Sequence, residues 1–162
     1  MNCQERLEEY LYSQHVPFQV QQHKRSYTAQ EVAESEHIPG KMVAKMVMVF
    51  ADDRMVLLAL SASYVVDFSS AQRAVGAKHL RLASEAEFAA AFPDCEVGTM
   101  PPFGNLYDLP VYVDRSLAED ETIIFPVGTH TETMSIKFAD FQRLVRPTVG
   151  EFARPRGFSA LS

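Results

Sequence analysis

The chain predicts an α+β domain built on a mixed, barrel-like β-sheet with helices packed around it. Three observations lead there. Short apolar or alternating runs such as "VPFQVQQ", "LPVYVD" and "TIIFPV" have the length and composition of strands. Stretches with apolar residues at helical spacing lie among them, opened and closed by capping signals. The two kinds mix irregularly, without strict βαβ alternation, and that pattern belongs to the α+β class. A chain of 162 residues makes one domain, here 1–162, large enough for a real core and too small for two.

Taken in order, Cys3 to Ser13 places Leu7, Tyr10 and Leu11 at helical spacing and reads as a short amphipathic helix. "VPFQVQQ" alternates through Phe18 and Val20 and reads as a strand. At "YTAQEV", Thr28 and Glu31 form a capping box, with Tyr27 and Val32 placed as a hydrophobic staple. That helix is expected from Ala29 to about Glu36, ending at "IPG". Lys45–Phe50 and Met55–Leu60 are apolar runs joined by "ADDR", a hairpin. Asp67 or Ser69 caps a helix ending at Gly76, and "KHLRLA" is a strand. Ser84 and Glu87 make a second capping box before "FAAAF", and "PDCEVGTMPPFGN" is a loop. "LPVYVD", "TIIFPV" and "MSIK" are strands, with the tight "GTHTE" loop before the last of them. Phe138–Arg146 is a final helix stopped by Pro147.

Composition narrows the function classes. A content of 47% hydrophobic and 22% charged residues is that of an ordinary globular protein. No apolar run approaches the ~18 residues of a membrane helix. The start "MNCQERLEEYLYSQH" lacks the apolar stretch of a signal peptide, so a cytoplasmic location is expected. Cys3 and Cys95, far apart in sequence, suggest neither a disulfide framework nor a zinc site. His15, His23, His37, His79 and His130 show no ligand spacing, and no metal or other cofactor is expected. The net charge of −6 is uneven: residues 141–162 carry +3, through Arg143, Arg146, Arg154 and Arg156 against Glu151, leaving −9 for the rest. An acidic body does not suit a general DNA binder. The basic tail at 147–162 reads either as a local phosphate contact or as an end that frays or covers apolar surface, with Phe152 and Phe158 as its anchors.

Three places carry possible chemistry. Lys45 is the one charge between Met42 and Ala51, on a strand face shared with Val43, Val47 and Val49. Lysine is almost never fully buried unless paired. It therefore either snorkels to the surface or faces a polar cavity that receives an anion. Gly98 to Gly104 has glycines and prolines that would hold a rigid loop with exposed backbone N–H groups. Gly128 to Glu132 gathers Gly, Thr, His, Thr and Glu at a strand's end. Cys95, between Asp94 and Glu96, is a poor thiolate and so a poor nucleophile.

The order of the pieces is more specific than any one of them. "TAQEVAESEHIPGKMVAKMVMVF", "VDFSSAQRAVGAKHLRLASEAEF", "VGTMPPFGNLYDLPVYVD" and "VGTHTETMSIKFADFQRLV" together resemble the YbaK/ProX family of aminoacyl-tRNA-editing domains. The family also includes the editing domain inserted in bacterial prolyl-tRNA synthetases. The resemblance covers about Tyr27 to Val145. It implies a barrel-like mixed sheet and hydrolysis of the ester between a wrong amino acid and the terminal adenosine of a tRNA, mostly tRNA for proline. It implies substrate binding by Thr28, Lys45, Met46, Gly98, Pro101, Pro102, Phe103, Gly104, Gly128 and Thr129. Lys45, Gly98, His130 and Glu132 are its catalytic candidates. Many members read Gly-x-Arg-Gly-His in the third motif; here His130 stands at the arginine position and Glu132 at the histidine position.

Such a site needs little machinery, because an aminoacyl ester is already activated. It must position the ester, admit water and stabilise an oxyanion, tasks that backbone N–H groups can perform. Pocket size would select a small amino acid, with alanine first and cysteine, serine and threonine behind it. The implied partner is tRNA, with no membrane, and the oligomeric state is left open. Two rival classes stand beside this one. The same pocket could hold an aminoacyl-adenosine or nucleotide without turnover, or the arginine tail could serve a nucleic-acid-binding regulator.

Overall fold

The computed structural model describes residues 1–23, 25, 31–33 and 40–155. The first helix, α1 (Cys3–Ser13), starts where expected, on a cap the sequence reading did not single out. Asn2 Oδ1 accepts the Glu5 N–H at 2.8 Å, and the Glu5 carboxylate accepts the Asn2 N–H at 3.1 Å. One face of α1 buries Cys3, Leu7 and Leu11.

Strand β1 (Gln19–Gln22) follows. Residues 31–33 are helical, with Val32 and Ala33 buried. Thr28 and the capping box expected there lie outside the described residues. β2 (Ala44–Ala51) and β3 (Arg54–Ser61) form the expected hairpin in antiparallel register, Lys45 opposite Leu60. Asp52 takes φ +56°, a left-handed turn conformation that Asp tolerates better than most residues. Strand β4 (Tyr64–Val66) leads into α2 (Phe68–Val75). Asp67 caps that helix through the Ser70 N–H, and Gly76 at φ +77° ends it.

Next come β5 (Leu80–Leu82) and α3 (Glu85–Ala91), the latter opened by the Ser84–Glu87 capping box. After the long loop, β6 (Val111–Asp114) runs straight into a short helix, α4 (Arg115–Ala118). β7 (Thr122–Pro126), β8 (Glu132–Lys137) and α5 (Phe138–Val145) complete the expected elements. Two further strands, β9 (Thr148–Gly150) and β10 (Ala153–Pro155), lie where a loose tail was one reading.

A five-stranded sheet has the order β5-β2-β3-β6-β9, antiparallel on one side of β3 and parallel on the other. A three-stranded antiparallel sheet has the order β1-β8-β7, and β10 pairs with β4. The fold is therefore α+β with mixed pairing. β2 joins the two larger sheets by changing partner along its free edge. Its last residues, Val49–Ala51, pair with β5, whereas Val43 just before it bridges Ile124 of β7 in parallel. Lys45 stands where these two partners diverge.

The main core lies under the even-numbered face of β2, where Ala44 and Met48 pack with Leu7, Leu11, Val113 and Phe125. Phe103 is at its centre, with its ring 5.6 Å from Phe141 and 5.7 Å from Phe125. A second cluster, with Val49, Leu58, Leu60, Ala71 and Phe152, lies under α2.

Candidate active site

Strand alternation places Lys45 on the face of Val43, Val47 and Val49. Val43 belongs to a small cluster with Val32, Ala33, Ala62 and Ile124, and Val49 belongs to the cluster under α2. Lys45 stands between these two apolar patches and is half-buried. Met46 is on the opposite face and packs against the main core, so the structure separates it from the Lys45 ammonium. Lys41, four residues earlier, has its charge answered: its Nζ is 3.1 Å from Asp120 Oδ1 and 3.6 Å from Glu119 Oε2. The bond to Asp120 raises the Lys41 pKa above its ordinary value. Asp120 also lies above its ordinary value, because burial outweighs the lysine's attraction.

The segment 98–104 divides in two. Gly98 is exposed, with φ +83° and open space where a side chain would project. Its backbone angle calls for glycine, and nothing crowds it. Pro101, Pro102, Phe103 and Gly104 are buried, against the expectation of an exposed binding loop. A Cβ on Gly104 would come within 2.5 Å of the Leu109 carbonyl oxygen and 2.6 Å of Val111 Cγ2. Close packing therefore accounts for Phe103 and Gly104 without a ligand.

The Gly128 segment is held at several points. Gly128 has φ +104°, and a Cβ there would meet the Cys3 Cβ at 2.8 Å. Its N–H donates to the Thr99 carbonyl, and its own carbonyl accepts the Glu96 N–H, both at 2.9 Å. Thr129 Oγ1 donates to the Glu132 carboxylate at 3.3 Å. The His130 N–H donates to Glu96 Oε1 at 2.9 Å, and Arg25 approaches the other Glu96 oxygen at 3.8 Å. The structure thus joins the Gly98 and Gly128 segments into one unit, with Glu96 binding both. Two residues beyond Ile124, β7 ends at Pro126 and turns into this unit; two residues beyond Val43, its bridge partner, is Lys45.

Sequence reasoning missed Glu96. It lies inside a stretch whose composition reads only as turns, and nothing local announces that its carboxylate reaches residue 130. The cysteine reading needs a correction. Cys3 and Cys95 form a disulfide across 92 residues, with Cα atoms 5.2 Å apart. The start of α1 and the loop after α3 are brought together there, and the Cys3 N–H donates to the Asp94 carbonyl at 3.1 Å. Cys95 is accordingly no free thiol. Ligand-type atoms of Cys3, Asp94 and Cys95 lie within 4.8 Å of one another, but sulfurs joined to each other are not the thiolates a metal needs.

The basic tail follows the reading in which Phe152 anchors it on apolar surface. Asp114 is 3% exposed, and its carboxylate accepts the N–H groups of Phe152, Ala153 and Ser116. Phe152 is fully buried, so the chain through Pro155 is an integral part of the fold. Arg143 pairs with Asp140 at 3.5 Å, and Arg154 is exposed on β10.

Comparison with known proteins sets this geometry in context. The chain is 33% identical over 92 residues to a proline–tRNA ligase of Thiobacillus denitrificans; the match takes in 56% of this chain and 16% of the ligase. Among solved structures, one described as a candidate trans-editing enzyme for prolyl tRNA synthetase superposes with TM-score 0.81 at 21% identity, covering 94% of this chain and 97% of that one. A hypothetical protein superposes with TM-score 0.82 at 16% identity, covering 91% and 99%. At these identities the two structures establish the fold. No described helix is long and apolar enough to cross a membrane. The model of the aminoacyl-tRNA editing domain matches residues 23–144, which is most of the chain, and the protein belongs to that family.

Proposed function

We propose that the protein is a trans-acting, cytoplasmic aminoacyl-tRNA deacylase that removes a small amino acid, alanine first, from mischarged tRNA for proline. The observation that carries this reading is Lys45: a half-buried lysine on a strand face between two apolar patches, where the two larger sheets diverge. An ammonium there can hold the phosphate of a terminal adenosine as a compact point charge. The valines on its face would bound a site that favours small side chains.

Water attacks the ester carbonyl carbon, the electron pair moves to the carbonyl oxygen, and on collapse the ribose oxygen leaves and takes a proton. The step needs donors aimed at the developing oxyanion. Among the described residues, the Gly98 and Thr129 amides make no hydrogen bond, whereas the neighbouring Thr99, Gly128 and His130 amides are engaged. These two unspent N–H groups, one on each of the joined segments, are the proposed donors. His130 and Glu132 are the side chains that could handle the proton. Thr28 and Thr129 are proposed to contact the adenosine.

Incubating the protein with a panel of mischarged tRNAs tests the reading. A deacylase releases the amino acid, fastest from alanyl-tRNA for proline, and Lys45→Ala abolishes most of that release. A protein that protects the ester instead is a binding module.

A further inference from the structure

We propose that Cys3 and Cys95 are a reversible thiol–disulfide pair whose redox state sets the order of the joined Gly98–Gly128 unit. The pair sits directly against that unit. Cys3 packs on Gly128 so closely that a Cβ there would overlap it at 2.8 Å. Cys95 is the chain neighbour of Glu96, whose backbone N–H and carboxylate hold the Gly128 carbonyl and the His130 N–H, each at 2.9 Å. The bond between the sulfurs therefore clamps α1 onto both glycine segments, and its loss frees the Cys95 end of that clamp.

The surroundings favour exchange over permanence. Cys3 is 2% exposed, whereas Cys95 is half-buried, and its sulfur is the proposed point of attack for an incoming thiolate. Tyr107 Oη lies 3.6 Å from each sulfur and donates to Asp94 Oδ1 at 3.0 Å. Burial, then Asp94, hold the Tyr107 pKa above its ordinary value, so an uncharged phenol stays beside both sulfurs. Arg6 lies 5.0 Å over the Tyr107 ring and 3.4 Å from Asp94, offsetting the carboxylate's charge. Disulfides in a reducing cytoplasm are transient or sensing, and a static structural bond would be out of place there. In this respect the inference rests on the cytoplasmic reading above.

The chemistry is thiol–disulfide exchange with a small dithiol or with two monothiols. A thiolate attacks the Cys95 sulfur, the Cys3–Cys95 bond breaks, and Cys3 leaves as a thiolate that takes a proton. A second reductant thiol then displaces the Cys95 sulfur. Two electrons and two protons pass to the protein, and the reductant becomes a disulfide.

The test equilibrates the full chain in glutathione buffers from fully reduced to fully oxidised. Free thiols are trapped at each ratio, and amide exchange is followed over 94–99 and 128–132. The pair is expected to titrate as one two-electron couple inside that range. Reduction should speed exchange in both segments by ~10-fold or more, as for opening of a local unit. Cys3→Ser/Cys95→Ser should show the fast exchange at every ratio. Deacylation of alanyl-tRNA should change with the same midpoint in the natural protein and be redox-independent in the double variant. A pair that stays joined in reduced glutathione, or never joins, overturns the proposal. So does equal exchange in the two states of the natural protein, a comparison that needs no variant to fold. Redox-dependent exchange in a protein without deacylase activity upholds the switch and sinks the deacylase reading alone.

Discussion

The Asp114 carboxylate accepts the Phe152 N–H at 2.7 Å, in a site where Asp114 is 3% exposed and Phe152 fully buried. The chain leaving α5 is thereby tied back to the C-terminal end of β6. The same oxygen takes the Ala153 N–H at 3.0 Å, and the other takes Ser116 at 2.8 Å. Three backbone donors thus depend on one buried acid.

Asp114→Ala leaves those donors without their acceptor, and buried unpaired groups cost ~1–3 kcal/mol each when they cannot reach water. A loss of roughly 2–4 kcal/mol is expected in urea unfolding. Deleting residues 151–162 should destabilise the fold as well, since it also uncovers the Phe152 site among Leu58, Leu60 and Ala71. A truncated protein as stable as the full chain would refute this account of the tail.

Truncation is therefore a poor test of tRNA contact, and charge removal is the better one. Arg154 is exposed on β10, and Arg156 follows just outside the described residues. If both touch phosphates, Arg154→Ala/Arg156→Ala should lower the log–log salt slope of tRNA binding by about 0.7–0.9 per lost contact, with hydrolysis at saturating tRNA unchanged. An unaltered slope would assign these arginines to solvent.

Lys45→Ala should remove most deacylation while unfolding like the natural protein to within about 1 kcal/mol, since the polar contacts of a partly exposed lysine are worth about 0–1 kcal/mol. Lys45→Arg should not restore the rate, because a planar fork does not replace a compact ammonium. Retention of full activity in folded Lys45→Ala would move the site elsewhere.

In the third motif, His130→Ala and Glu132→Ala should differ, with only one showing a large loss of rate. The Glu132 carboxylate is engaged by Thr129 at 3.3 Å, and the His130 backbone is held by Glu96. Glu96→Ala should lower kcat through loop disorder, visible as faster amide exchange at His130. Natural rates in both His130→Ala and Glu132→Ala would leave the backbone as the loop's sole contribution.

Acid stability offers an independent check on the surface. The Arg81 guanidinium meets both Glu87 oxygens at 2.9 Å and, with the Ser84 N–H, lowers the Glu87 pKa from 4.5 to about 2. A depressed carboxylate pKa adds stability that is full above pH 4.5 and is lost as pH falls towards about 2. Glu87→Gln should lower Tm slightly at pH 7, leave it unchanged near pH 2, and so flatten the pH dependence of Tm inside that window. An unchanged profile would show the pair to be worth nothing in solution, as for many exposed pairs.

What the sequence determined by itself is local. Asp67 and Gly76 bracket one helix and the Ser84–Glu87 box opens the next, because caps and left-handed glycines act within a turn of where they stand. The β2–β3 hairpin is legible for the same reason, as is the alternation that puts Lys45 on a face with three valines. Motif order carried the family. The tertiary structure alone decided what depends on distant partners. β10 is three residues long and becomes a strand only beside β4, with Ala153 opposite Val66. Pro101–Gly104 has the composition of a surface loop, yet Phe103 is drawn into the centre of the core by aromatic neighbours from α1, β7 and α5. Cys3 meets Cys95 across 92 residues, and Glu96 reaches His130 across 34. Such contacts leave no periodicity in the chain, because their energy comes from surfaces that do not exist until the sheets have formed.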